Sequence, residues 1–381
     1  MSEQSIPVPR LISAAGFTTA VGGGSLPEAV RVAMDEAAAS TYRPDELQAW
    51  AGKAIAEATG AESGWVTAGA AAAMTLAAAA CIAGTRRPDI DRLPATGDLP
   101  AEIVVQRGHR NAYDRAFRSA GARIVEVGYP HMEGVGLTYE WQLEDAFSER
   151  TVAVAHLALA DEQGVTLERV CEIAAARGIP VIVDGAAELP PSSNLRSFVD
   201  AGAALVAFSG GKAIRGPQGS GILAGRRELI ESVRLQTLDM DVDVANWVSA
   251  EGGEPPHHGL GRSMKVGKEQ IAGVVVALQQ FVLRDHDAEA DEHARWLETL
   301  VPTAAQIGEA AVRRDLHFYP RLVIAGLGEE RARETAASLA TATPSIVVPH
   351  GPLGRGELVI APEAIVEADR QIVAEALSRE Q

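Results

Sequence analysis

The chain has 381 residues, a length that favours one large α/β domain with a smaller companion. It is 47% apolar but only 4% aromatic, so its core has to be built from Ala, Val, Leu and Ile, which suits helices packed closely on a parallel sheet. With 34 Lys and Arg against 51 Asp and Glu the formal net charge is -17, and without a long basic run this argues against nucleic acid as a partner.

The first segment, 1–10, lacks the charged and apolar blocks of a signal peptide. In chain order, Leu47, Trp50, Ala51, Ala54, Ile55 and Ala58 recur at helical spacing and predict a buried stripe ahead of a first strand at 65–67. An Ala-rich run at 68–83 follows, of marginal length for a bilayer and interrupted by Thr75, and it reads as a buried helix. Strands are expected at 103–106, 124–127, 152–159, 181–184 and 204–208, with helices at 111–120 and 167–177 that stop at Gly121 and Gly178. Strands alternating with helices predict a mainly parallel sheet with helices on both faces.

The texture changes after about Glu251: residues 252–259 read as a loop, and a long helical pattern starts near Arg262. Strand-like runs at 318–324, 346–348 and 358–360, separated by a helix around 331–340, form a smaller α+β domain. The expected division is an N-terminal arm at 1–43, a large domain at 44–255 and a small C-terminal domain at 256–381. The two cysteines, Cys81 and Cys171, sit in Ala-rich helical segments with no second ligand at metal spacing. Free thiols, no metal, no membrane and a cytoplasmic setting are the expectation.

Candidate chemistry gathers at strand ends. Phe208, Ser209, Gly210, Gly211, Lys212, Ala213, Ile214, Arg215, Gly216 and Pro217 follow a strand, and the glycines beside Lys212 leave its amine room to approach a flat cofactor. Ser209 can place a hydroxyl on a phosphate. The apolar run 179–183 ends in Asp184, and open α/β sheets bind ligands beyond the carboxyl ends of their strands. An ionised carboxylate beside a pyridine nitrogen favours its protonated form. Thr67, Ala68, Gly69, Ala70 and Ala71 join a strand to a helix whose open N-terminal amides suit a phosphate dianion. His109, past another strand end, can lie flat on a ring. The bland readings are a lysine in a surface turn, an aspartate capping a helix, small residues needed for packing, and a structural histidine.

The ordered set of Thr67 to Ala71, His109 with Arg110 and Asn111, Asp184 with Gly185, Ala186, Ala187 and Glu188, and Ser209 to Lys212 with Arg215 to Gln218 resembles the fold-type I enzymes of pyridoxal 5'-phosphate (PLP). Within them it is most similar to the branch of selenocysteine synthase (seryl-tRNA selenium transferase) and D-glucosaminate-6-phosphate ammonia-lyase, over about 10–276. The resemblance implies seven strands in the mainly parallel sheet, Lys212 as the Schiff-base lysine, Asp184 as the partner of the pyridinium nitrogen and His109 as the ring-stacking residue. It implies phosphate contacts from Gly69, Ala70, Ala71 and Ser209, and a homodimer or higher homo-oligomer with active sites at the interface. Arg215, Arg262, Lys265 and Arg355 are the candidate ligands for a substrate carboxylate or phosphate, since Arg binds either anion in bidentate fashion. This chain enters the catalytic domain almost at once, where selenocysteine synthase has a tRNA-binding domain, so a small amino acid and not tRNA is the expected partner. The expected activity is a PLP-dependent lyase: Cα deprotonation and β-elimination from a small hydroxylated amino acid or amino sugar acid, giving a 2-oxo acid and ammonia. β-Replacement, racemisation, aldol cleavage and transamination stand behind it, followed by tRNA-linked selenium transfer and a non-catalytic scaffold.

Overall fold

A computed structural model describes residues 6–130, 136–158, 164–238, 258–315 and 317–380. The helices ahead of the sheet are α1 (Glu28–Ala38) and α2 (Pro44–Thr59). Proline at the start of α2 gives up an N–H that has no helical acceptor there, and Gly60 ends the helix at φ 74°. Ala51 and Ile55 are fully buried, whereas Trp50 is 45% exposed. Trp50 lies at the margin of the apolar stripe, so the expected buried tryptophan turns to solvent.

The next helix, α3 (Ala70–Ala83), is buried along almost its whole length. Alanine side chains let its backbone approach the sheet closely, and a helix apolar on all sides belongs in a core. Among the described residues no helix is long and apolar enough to cross a membrane.

The central sheet has seven strands: β1 (Ser63–Thr67), β2 (Glu102–Gln106), β3 (Arg123–Val127), β4 (Thr151–Leu157), β5 (Val181–Asp184), β6 (Leu205–Ser209) and β7 (Gly221–Gly225). Their order is β1-β7-β6-β5-β4-β2-β3. β7 runs antiparallel to both neighbours, while the other pairs are parallel. β7 is absent from the sequence expectation because Gly at each end makes it read as part of the preceding Gly-rich loop. One sheet face packs on α3 through Ile103, Ala155, Ile182, Leu205 and Ala207. The other carries Val66, Val104, Val154, Val183 and Phe208, in one core with residues of α2 and of the helix Lys268–Leu283.

Residues Leu26–Leu283 form one unit, and Met1–Ser25 with Arg284–Gln381 form the other. These borders differ from the expected ones at 43/44 and 255/256. α1 packs on the helix Lys268–Leu283, which packs on α2, so both flanking helices belong to the sheet unit. Most of the expected loop at 252–259 lies outside the described residues.

The second unit holds a three-stranded antiparallel sheet of Glu309–Arg313, Arg321–Ala325 and Leu358–Ile360. The first of these strands has no counterpart in the sequence reading, since its exposure alternates and only Ala310 and Val312 supply its inner face. Strand Leu11–Ser13 pairs in parallel with Ser345–Val347. Beside this core Arg321 binds Glu363 in bidentate fashion at 2.8 and 2.7 Å, with both side chains largely buried. Removing one partner strands a buried charge, so Arg321→Met is expected to cost about 3–5 kcal/mol. Arg321→Met with Glu363→Leu should recover most of that loss, and urea unfolding of both variants measures it.

Candidate active site

Side chains alternate along a strand, so parity decides what faces α3. Trp65, Ile182 and Ala207 belong to the core that contains α3, and two residues on from each come Thr67, Asp184 and Ser209 at the strand ends. These three therefore stand on the face over which α3 begins. Gly69 is the N-cap of α3 at φ 103°, with Ala70 and Ala71 opening the first turn. The first N–H groups of a helix have no intrahelical acceptor, and Gly69 offers no capping side chain. A Cβ on Gly69 would meet nothing within 4 Å, so there is room for an anion at this helix end. The Thr67 hydroxyl steadies the turn by donating to the Gly69 carbonyl at 3.0 Å.

The first residue of β7 presses against this turn. A Cβ on Gly221 would lie 2.5 Å from the Gly69 carbonyl carbon and 2.8 Å from the Ala70 nitrogen. Backbone must shift to admit it, and overpacking of this kind costs roughly 1–3 kcal/mol. Gly221→Ala is expected to lower the melting temperature and to weaken PLP binding at least tenfold, which a fluorescence titration of the variant measures.

Lys212 lies in the turn after β6 and is half-buried. The glycines before it serve packing: a Cβ on Gly210 would come 2.3 Å from Ser220 Oγ, and one on Gly211 would come 2.7 Å from Gln218 Cα. The loop closes on itself, with Arg215 N–H donating to the Lys212 carbonyl at 2.8 Å and Gly216 N–H to the Gly210 carbonyl at 2.8 Å. Room for the amine, the reason first assigned to these glycines, gives way to close contact inside the loop. Arg215 is half-buried and, among the described residues, the one non-glycine residue at positive φ, 62°.

Asp184 ends β5 and accepts the Ala186 N–H at 3.1 Å. Burial pushes its carboxyl above the usual range, against that hydrogen bond and the charge of Lys212. Burial also lowers the Lys212 ammonium below the ordinary lysine value, opposed by Asp184 and Glu188. The two groups thus sit close enough to feel each other's charge, and each is moved toward its neutral form.

His109 ends the short turn Arg107–His109 after β2 and is 2% exposed. It lines one concavity with Asp184, Asn111, Tyr113 and His156. His156 is absent from the sequence reading, because a single histidine inside an apolar strand looks like core. Arg262 is half-buried in the turn Leu260–Met264, whose Gly261 packs against Leu76 of α3, and Lys265 beyond it is exposed. Arg355 lies in the other unit and pairs with Glu357 at 2.8 Å. Burial holds both cysteine thiols up at about 12, so neither is a ready nucleophile. Among the described residues no group of three or more His, Cys, Asp and Glu could hold a metal ion.

An uncapped helix end with open space, a half-buried carboxylate and a half-buried amine suit the phosphate, pyridine nitrogen and aldehyde of PLP. Together with the seven-stranded sheet they define a fold-type I PLP enzyme. Residues 101–276 match the family described as Aminotransferase class-V. The chain is 32% identical over 381 aligned residues to 5'-C-glycyluridine monooxygenase-decarboxylase of a Streptomyces species, covering 96% of this chain and 88% of that protein. It is 31% identical over 285 residues to D-glucosaminate-6-phosphate ammonia lyase of Salmonella typhimurium, covering 73% of this chain and 69% of that one. A solved D-glucosaminate-6-phosphate ammonia-lyase structure superposes with a TM-score of 0.82 at 26% identity, over 98% of this chain and 96% of that one. The chain belongs to the PLP-dependent class-V aminotransferase family, in the branch of this ammonia lyase, and it is an enzyme with PLP as its cofactor.

Proposed function

We propose that the chain is a PLP-dependent lyase that deprotonates Cα of a small hydroxylated amino acid or amino sugar acid and eliminates the β-hydroxyl, giving a 2-oxo acid and ammonia. One observation carries the reading: a half-buried lysine and a half-buried carboxylate at strand ends feel each other's charge, in a chain 31% identical to an ammonia lyase. Bound PLP supplies the electron sink for the charge left at Cα. Lys212 takes the Cα proton, and its burial favours the neutral amine that a base must be. Asp184 holds the pyridine nitrogen in its charged form. The Ala70 and Ala71 amides, with the Gly69 turn and the Ser209 hydroxyl, hold the phosphate, and His109 covers the ring and keeps water from it. The β-hydroxyl leaves as water, and water then hydrolyses the released imine to the 2-oxo acid and ammonia.

Arg215 is the first choice for the substrate carboxylate, ahead of Arg262, Lys265 and Arg355. Its φ of 62° supports this, because such strain persists where surroundings fix a residue and it clusters at active sites. The reading places the enzyme in the cytoplasm as a homo-oligomer with active sites at the interface. It includes no tRNA partner, in keeping with the net charge of -17.

Similarity along 96% of the chain to a monooxygenase-decarboxylase favours a second reading, in which the bond broken at Cα leads to the carboxylate and dioxygen is the oxidant. A panel of hydroxyamino acids, amino sugar acids and nucleoside-derived amino acids separates the two. Ammonia with a 2-oxo acid and no oxygen uptake supports elimination. Carbon dioxide released with oxygen consumed would replace it by the second.

A further inference from the structure

Strand β4 ends on His156 and Leu157, and both residues bear on His109. The Leu157 N–H donates to His109 Nδ1 at 3.1 Å. An imidazole nitrogen that accepts a hydrogen bond carries no proton, so the neutral ring has its proton on Nε2. The His156 ring meets the His109 ring at 4.4 Å between centroids and 83° between planes. Both residues are 2% exposed, which leaves neither ring solvent to rotate into. An edge-to-face contact is directional, because the positive edge of one ring meets the negative face of the other. An aliphatic side chain would fill the same volume without setting the plane of its neighbour.

The strand register links this arrangement to the carboxylate. In the parallel pairing of β4 with β5, Leu157 stands beside Asp184 and His156 beside Val183. The residue whose N–H fixes His109 is therefore the ladder neighbour of Asp184, and His109, His156 and Asp184 line one concavity.

We propose that His156 is a positioning residue which, with the Leu157 backbone N–H, locks His109 as its Nε2–H tautomer in a single orientation beside Asp184. This deepens the proposed function, on which it rests for the role of His109 against the pyridine ring. His156 itself exchanges no proton with substrate; it acts through the plane and tautomer of His109.

Nitrogen-15 NMR of the cofactor-free protein tests the lock apart from the chemistry. His109 is identified among the nine histidines by the signals lost in His109→Gln. Wild type and His156→Phe are expected to show His109 as one Nε2–H tautomer, and His156→Leu, which keeps bulk without a ring, a mixture of tautomers. With PLP and substrate, His156→Leu should lose roughly 10- to 100-fold in kcat with little change in KM and a shifted cofactor absorbance, the size of effect that slight misplacement produces. His156→Phe should recover most of that loss. A single unchanged tautomer in His156→Leu overturns the proposal, as does a His156→Phe variant that is equally impaired or a proton on Nδ1 in wild type. If PLP does not attach to Lys212 while His109 is one Nε2–H tautomer in wild type and His156→Phe and a mixture in His156→Leu, the lock is supported and the functional reading above falls.

Discussion

Lys212→Ala is expected to lower turnover by roughly 10²–10⁴-fold, the usual contribution of a positioned base, and to remove the absorbance near the visible edge that PLP gains when joined to the protein. The expectation rests on placement and charge together. Lys212 follows β6 in a loop that packs on itself so tightly that Gly210 and Gly211 tolerate no side chain, which fixes the backbone that carries its amine. Burial lowers its pKa from the ordinary value of 10.5, so more of the neutral amine is present near neutral pH than for a surface lysine. The sign follows from that. Capture of PLP by cofactor-free protein should quicken as pH rises and level off below the range of a solvent-exposed lysine. Removing the Asp184 charge should move this midpoint lower still, because Asp184 raises the lysine pKa. Borohydride reduction followed by peptide mapping should find the pyridoxyl group on Lys212. A coloured Lys212→Ala protein with the label on another lysine would take Lys212 out of the site.

The parts of this site that could be read from residues alone are those where strand pattern and special residue types coincide. An apolar run ending in Asp184 and a strand leading into glycines around Lys212 announce themselves, and α3 is legible because an alanine-rich, almost wholly apolar run of that length belongs in a core. What escaped depends on contacts between distant segments. β7 is bounded by glycines that look like loop, yet Gly221 is glycine because the Gly69 turn lies against it. His156 gains meaning only when the register of β4 with β2 carries it beside the turn after β2. The large unit extends past the expected borders at both ends for the same reason, since nothing local in α1 or in Lys268–Leu283 says that the two helices pack on each other. Trp50 lies at the edge of the buried stripe, where apolar spacing does not separate stripe from margin.

Asp184→Asn is expected to separate stability from function. In the folded, cofactor-free chain burial raises the Asp184 pKa above its ordinary 3.8. A group shifted in that direction contributes stability that is fully present below the unfolded pKa and is lost as pH rises through the folded one. At neutral pH the cofactor-free protein therefore carries the cost of a buried carboxylate, only partly offset by the Ala186 N–H and the charge of Lys212. Asparagine keeps an oxygen for the Ala186 N–H without a charge to bury. The cofactor-free variant should then be at least as stable as wild type at neutral pH, with the difference shrinking as pH falls toward 3.8. Function should move the other way. Without a carboxylate the pyridine nitrogen loses the partner that favours its protonated form, and turnover is expected to fall by roughly 10²–10³-fold, the scale set by loss of one preorganised electrostatic contact. The absorbance of the bound cofactor should shift as well. Thermal melts of both proteins without PLP across this pH range, beside turnover and spectra with it, test the two halves independently. A variant that loads and turns over like wild type would move Asp184 away from the pyridine nitrogen, and one much less stable without cofactor at neutral pH would make its carboxylate a structural cap.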